Sequence, residues 1–159
     1  MSARQIIYTL FIIVTASAGA VAMFSCDNNV VYHSYRHTII TGWEKNDTLS
    51  YSVPPLREPG RYRQSVGLRI NNTYPFTSIT LVVKQDIFPG KRSKTDTIKC
   101  QFSDAKGYRT GHGVNYYQYD FPLKDIDLRR GDSLQISIQH AMKREMLPGI
   151  SDVGIKIFE

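Results

Sequence analysis

The sequence predicts an all-β protein: an antiparallel, jelly-roll-like β-sandwich of about eight strands behind an N-terminal helical signal peptide. Three observations carry this. Apolar and polar residues alternate with a period of two in one run after another; Gly, Pro, Asn and Asp fall between the runs; and ten Tyr and seven Phe join many β-branched residues that fit a pleated, half-buried surface. The runs lie at 30–36, 48–53, 62–70, 78–85, 95–102, 115–121, 133–140 and 153–158. In the clearest, Leu134, Ile136 and Ile138 face one way and Ser133, Gln135, Ser137 and Gln139 the other, because successive strand side chains point to opposite faces. Leu49, Tyr51 and Val53 repeat the pattern, as do Val66, Leu68 and Ile70, then Tyr117, Tyr119 and Phe121, and finally Val153, Ile155 and Ile157. One such strand buries too little, but two sheets facing each other with these residues make a continuous core. The punctuation agrees: Pro54-Pro55, Pro59-Gly60, Pro75, Pro89-Gly90, Gly131-Asp132 and Pro148-Gly149 all separate runs. The nearest helical candidate, 139–146, is short and reads as a strand end entering a turn. At 42% hydrophobic and 21% charged over 159 residues, the chain holds material for one packed domain, which excludes a multidomain enzyme and a disordered protein.

The N-terminus carries an address. Arg4 is followed by Ile6, Ile7, Tyr8 and the run Leu10 to Val14, then small residues, with no charge before Cys26. A short basic region, an apolar region and a small-residue ending form an export signal. Met23-Phe24-Ser25-Cys26 resembles a bacterial lipobox, in which signal peptidase II cleaves before the Cys and that Cys carries the lipid, a palmitate-type anchor. Met23 and Phe24 are bulkier than the usual lead-in, and about 18 mainly apolar residues are also long enough to span a bilayer as an uncleaved anchor. A disulfide role for Cys26 is the third reading. The chain accordingly divides into a lipoprotein signal peptide at 1–25, the lipidated Cys26 with tether and first strand at 26–40, and a β-sandwich domain at 41–159. With Cys26 acylated, Cys100 has no intrachain partner. Its alternation with Ile98 and Phe102 makes it a small core hydrophobe rather than a nucleophile.

A search for chemistry returns no catalytic, metal or cofactor site. His33 and His37 are four residues apart, about 13 Å along a strand at about 3.3 Å per residue, too far for shared ligation. His112 sits between Gly111 and Gly113 in a loop, and His140 shares its strand face with Ile138, so both read as structural. The glycine-rich stretch 107–113 lacks the Gly-Lys-Ser/Thr ending of a phosphate loop and reads as a turn. No Gly-x-Ser-x-Gly elbow is present. Lys91, Arg92 and Lys94 at one hairpin tip, and Arg129 and Arg130 at another, are candidates to touch anionic headgroups, glycans or an acidic partner, or are simply solvated turns. Nucleic acid is disfavoured, because the export signal removes the chain from it and 20 Lys+Arg exceed 14 Asp+Glu by little. Asp47-Thr48-Leu49, Asp96-Thr97-Ile98 and Asp132-Ser133-Leu134 match a triplet that resembles the O-glycosylation sequon of exported Bacteroidetes proteins, which marks Thr48, Thr97 and Ser133 as candidate modification sites. The same triplet is also a natural way to leave a turn and enter a strand.

Several motifs follow one another along the chain: Gly42-Trp43-Glu44-Lys45-Asn46-Asp47; Arg69 to Tyr74-Pro75-Phe76; Asp96-Thr97; Asp104 to Gly107-Tyr108-Arg109-Thr110-Gly111-His112-Gly113; and Gln139 to Met142-Lys143 with Leu147-Pro148-Gly149-Ile150 and Asp152-Val153-Gly154. Taken in order, they resemble the gliding-motility lipoprotein GldH family of Bacteroidetes. Tyr108 stands where the family pattern leads to an expected Trp. The resemblance implies a noncatalytic outer-membrane lipoprotein of the gliding-motility or envelope machinery, held to the membrane by its lipid and acting as a structural or assembly component through other envelope proteins. Trp43, Tyr74, Phe76 and Tyr108 are the candidate partner contacts, since loop aromatics often supply contact energy. The alternative is that they plug the open end of the sandwich. A surface glycan-binding module, with Tyr rings stacking on sugars, is the competing function. A cluster of acids just after the lipidated Cys resembles the surface-export signal of Bacteroidetes, and Asp27-Asn28-Asn29 offers one acid, so the periplasmic face is favoured over the cell surface.

Overall fold

The computed structural model of the chain describes residues 30–39 and 41–159, so the signal peptide, Cys26 and the tether lie outside the described residues. Ten strands follow in order: β1 (Val30–His37), β2 (Trp43–Glu44), β3 (Leu49–Val53), β4 (Gly60–Asn71), β5 (Ser78–Phe88), β6 (Arg92–Gln101), β7 (Tyr116–Leu128), β8 (Ser133–His140), β9 (Met146–Leu147) and β10 (Ile150–Phe158). All eight expected strands are present. The other two, β2 and β9, are two-residue segments that pair with each other.

Two four-stranded antiparallel sheets form, ordered β1-β10-β4-β7 and β3-β8-β5-β6. Only β5 and β6 make a hairpin within one sheet; every other long connection crosses between sheets, and the first strand pairs with the last. That is the wiring of a jelly roll. The alternate residues read from the sequence meet between the layers: Tyr51, Val66, Leu68, Ile70, Leu81, Ile136, Ile138, Val153, Ile155 and Ile157 are all buried. Cys100 is buried with them, and the loss of hydration pushes its thiol up to about 12, so it is an inert core group.

Two hydrogen bonds tie one layer to the other inside this core. The Tyr51 hydroxyl donates to the Val153 carbonyl at 2.7 Å, and Gln85 Nε2 donates to Gln64 Oε1 at 2.6 Å. These bonds offset the cost of burying polar side chains, and the partners come from opposite sheets; Gln85 Oε1 is left buried without one.

Two departures from simple alternation have local causes. β7 runs on to Leu128, well past the expected end at 121, because β7 is an edge strand where Pro122 costs no ladder bond. Its phase then slips, from Tyr119 and Leu123 to Ile126 and Leu128, opposite the register shift between Tyr62 and Gln64 on β4. The second departure is the run of buried residues from Gln64 to Leu68 on β4. The outer side of this sheet is covered by Tyr35 of β1, whose ring lies across Gly154 of β10 and Gly67 of β4. A Cβ at Gly154 would stand 2.6 Å from the ring, and one at Gly67 would run into its hydroxyl, so only glycine leaves room at either place. Arg69 stacks over the same ring at 4.4 Å and Gln118 Nε2 donates to its hydroxyl at 3.0 Å.

The registers give the sandwich two different ends. Val30 and the turns 54–59, 89–91 and 129–132 lie at one end, called the base, and residues 38–39 and 41–48 with the loops 72–77, 102–115 and 141–149 lie at the other, distal end.

Candidate functional site

At the distal end long loops must both close the core and satisfy their own backbone. Trp43, paired across β2–β9 with Leu147, has no exposed surface. Its ring meets His140 edge-on at 5.2 Å, and its Nε1 donates to the Asp47 carbonyl at 3.0 Å. His140 Nε2 in turn donates to the Trp43 carbonyl at 3.2 Å, which leaves Nδ1 as a buried, unpartnered acceptor. Burial accordingly holds the His140 pKa below its ordinary value, keeping the ring neutral.

Tyr74 is the second plug. It is buried, its hydroxyl donates to the Ser78 carbonyl at 3.0 Å, and its ring packs edge-on against Phe102 at 5.3 Å. Burial pushes its phenol pKa upward. Arg109 then stitches loop 102–115 to loop 72–77: Nη2 donates to the Tyr74 carbonyl at 3.2 Å while the guanidinium lies over Tyr117. Asp104 Oδ1 accepts the backbone N–H groups of Lys106 and Tyr108, each at 2.9 Å, and this turn aims Tyr108 outward.

The four aromatics proposed as partner contacts therefore separate. Trp43 and Tyr74 are interior, and a side chain without accessible surface presents none to a partner; for these two the plug is the structural role. Phe76 is 36% exposed and Tyr108 71% exposed, so the contact proposal passes to them. Around them the distal end also exposes Ile39, Val114, Tyr116 and Met146. Sequence reasoning passed over these four: Ile39 and Val114 are isolated apolar residues in loops with no periodicity to mark them, Met146 is in a two-residue strand too short to show any, and Tyr116 opens β7 out of phase with the buried Tyr119. The signal that was available is positional: Val114 sits between Gly113 and Asn115, where no strand pattern calls for an apolar side chain.

The remaining candidates are distributed over the surface. Thr48 and Thr97 are exposed and Ser133 is half-buried. His33 and His37 are both on β1 with Tyr35 between them; His33 packs edge-on to that ring and His37 Nδ1 contacts the Asp152 carboxylate. Among the described residues no three His, Cys, Asp or Glu side chains converge as metal ligands, and no helix is long and apolar enough to cross a membrane. An open cleft of about 510 Å³ on the outer face of the β1-β10-β4-β7 sheet is lined by His33, Arg63, Asp120, Lys156 and Phe158 among others. On the same outer face the Tyr35 ring is covered by Arg69, so this face offers mixed charge rather than a bare aromatic strip for sugar stacking.

At the base, Arg92 from the β5–β6 hairpin turn and Arg129 and Arg130 from the turn crossing between sheets from β7 to β8 come together around a recess with Pro89 and Gly90, and exposed Lys91 lies in the first of these turns; the second tip, read from the sequence as a hairpin, is a crossover. Lys94 does not join them: it lies along β6 with its Nζ 3.3 Å from Asp96.

The sequence model of one family, described as GldH lipoprotein, matches residues 30–157. A curated relative, "Gliding motility lipoprotein GldH" of Flavobacterium johnsoniae, is 29% identical over 145 residues, covering 87% of this chain and 90% of its own. Among solved structures, a family 35 carbohydrate-binding module from Clostridium thermocellum aligns with a TM-score of 0.40 at 13% identity, over 80% of this chain and 89% of that one. A family GH115 4-O-methyl-α-glucuronidase, BtGH115A, aligns with a TM-score of 0.43 at 14% identity over 85% of this chain, which spans 18% of that enzyme. Neither likeness carries a functional statement. The family match is of another order, since it runs from the first described strand into the last and takes in both ends of the sandwich: this chain belongs to the GldH lipoprotein family.

Proposed function

We propose that the protein is a lipid-anchored, noncatalytic component of the gliding-motility or envelope machinery, acting through protein contacts made by the distal end. The observation that carries this is the family match over residues 30–157, coupled to the asymmetry of the sandwich. Most of the large apolar side chains left exposed among the described residues, Phe76 and Tyr108 included, sit on the end opposite Val30. Cys26 lies four residues before Val30. An acyl chain there holds the base at the bilayer and points the distal loops away from it, at high effective concentration for other envelope proteins. The outer membrane is the proposed location, with the domain on the periplasmic face. Thr48 and Thr97, both exposed, are the better placed of the proposed O-glycan acceptors, and Ser133 the less accessible.

The test is capture of the native lipoprotein from gently solubilised envelopes. Co-purifying envelope proteins that are lost on combined Phe76→Ala and Tyr108→Ala substitution support the reading; free monomer from wild-type cells overturns it. Metabolic labelling with an alkyne fatty acid should mark the wild type and not Cys26→Ser. Protease shaving of intact cells that cleaves the protein without lysis would reverse the proposed orientation.

A further inference from the structure

We propose that the base of the sandwich is a membrane-seating surface, in which Lys91, Arg92, Arg129 and Arg130 engage the phosphates of anionic lipid headgroups while the exposed Phe88 ring enters the interface beside them. The inference deepens the proposed function and rests on its lipid anchor at Cys26.

Two observations carry it. The first is the juxtaposition. Arg92, Arg129 and Arg130 line one recess of about 290 Å³ on the turns joining β5 to β6 and β7 to β8, and Lys91 sits at the tip of the first turn. Phe88, 45% exposed, closes β5 next to this recess, its backbone paired with Ser133. The one acid in the recess, Asp132, is already engaged: it is buried, and its Oδ2 accepts Arg92 Nη2 at 2.8 Å and the Arg129 N–H at 3.0 Å. Of the other acids of this end, Glu58 and Glu159 line a separate cleft beside Val30, while Asp125, paired with Arg61, and Asp127 line an adjoining cleft that Arg92 shares. Lys91, Arg129 and Arg130 are exposed, beside an anchored carboxylate that fixes Arg92.

The second observation is reach. Val30 is four residue steps from Cys26, and a fully extended chain covers at most about 3.6 Å per residue, so the lipid holds Val30 within roughly 14 Å of its attachment point. Val30 and both cationic turns are on the same end of the sandwich. Headgroup potential decays over about 8 Å at physiological salt, so the tether's limit of roughly 14 Å lets the base come down into the zone where each Lys or Arg gains from anionic lipid, and the cations supply the attraction that seats it there. A solvated turn needs neither the clustering nor the exposed ring.

The experiment uses the full-length acylated lipoprotein inserted in vesicles. Cys100 is buried and its thiol poorly ionised, so a Cys introduced by Phe88→Cys labels selectively with an environment-sensitive fluorophore, and Tyr108→Cys provides the distal control. The expected result is a blue shift at position 88 in equimolar phosphatidylglycerol–phosphatidylcholine vesicles, absent in phosphatidylcholine alone, absent at position 108, and abolished by Lys91→Glu with Arg129→Glu and Arg130→Glu. The unacylated Cys26→Ser chain should bind the anionic vesicles weakly, and the same triple reversal should cut that binding by at least about tenfold. An aqueous probe at 88 in acylated protein overturns the seating surface while leaving the anchor intact. A probe that shifts although fatty-acid labelling is blank sinks the anchor and retains the surface. Loss of the shift on adding inorganic phosphate at constant ionic strength identifies a free-phosphate recess and overturns the membrane assignment.

Discussion

The two ends of this sandwich are made by the same strands, yet they stop in opposite ways. At the base the chain reverses in the tight turns 54–59, 89–91 and 129–132, which expose cations and pack little beyond Leu56. At the distal end the loops are long, up to 102–115, and fold over the core. They drive Trp43, Tyr74 and Phe102 inward and leave Phe76, Tyr108 and Val114 outside. A short turn has only its own tip to present, whereas a long loop has backbone to satisfy and rings to bury, and what is left over becomes a surface. The base is thus built to be placed and the distal end to be shaped.

The contrast can be broken most forcefully at its plug. Trp43→Ala should cost about 3–5 kcal/mol in urea unfolding, because it opens a cavity under β2–β9 and strips the edge contact from His140. A cost below about 1 kcal/mol would mean that the distal loops do not close the core. A smaller effect belongs between the ends. Gly154→Ala pushes a methyl into the Tyr35 ring and should destabilise by about 1–3 kcal/mol, with much of the loss recovered when Tyr35→Ala is added. No recovery in the double variant would place the strain elsewhere.

Acid titration sharpens the same comparison. The folded-state pKa of His140 is held below its unfolded value by burial. Above about pH 6.5 both states are neutral and the residue adds no pH dependence; below it the unfolded chain takes up a proton that the native core resists, so stability falls with pH, by at most about 1.4 kcal/mol per unit for this one proton. His140→Gln should flatten that limb of a stability-versus-pH curve, and an unchanged slope would assign it to other groups. The smallest effect is expected at the rim: Tyr108→Ala and Phe76→Ala should each alter stability by no more than about 0.5 kcal/mol for side chains so exposed, while reducing co-purification of partners.

How much of this was legible in the sequence depends on where periodicity operates. Leu134, Ile136 and Ile138, or Val153, Ile155 and Ile157, announce their burial because every second residue must share a face, and Cys100 followed from Ile98 and Phe102 by the same rule. The tail of β7 was not legible, because a bulge shifts its phase between Leu123 and Ile126, and β2 and β9 are too short to show any phase. At the distal end the rule has nothing to act on. Trp43 and Tyr108 both follow a glycine in a motif rich in polar residues, and only tertiary packing sends one inward and the other out. The cationic recess was visible as two separate basic tips, both read as hairpins; the second is a crossover turn from β7 to β8, and that the two form one recess follows from β6 and β7 lying at the facing edges of the two sheets.

The pairing of β1 with β10 has a temporal consequence. Thr38 Oγ1 donates to the Ile150 carbonyl across 112 residues of sequence, and along the whole of β1 every ladder partner comes from the last strand. A chain that emerges N-terminus first must therefore wait, its leading strand unpaired on that edge, until nearly everything behind it has arrived. Such distant closure is slow and leaves an adhesive edge open meanwhile. Arrival of the last strand, rather than the first, is the moment at which this sheet acquires its closed edge.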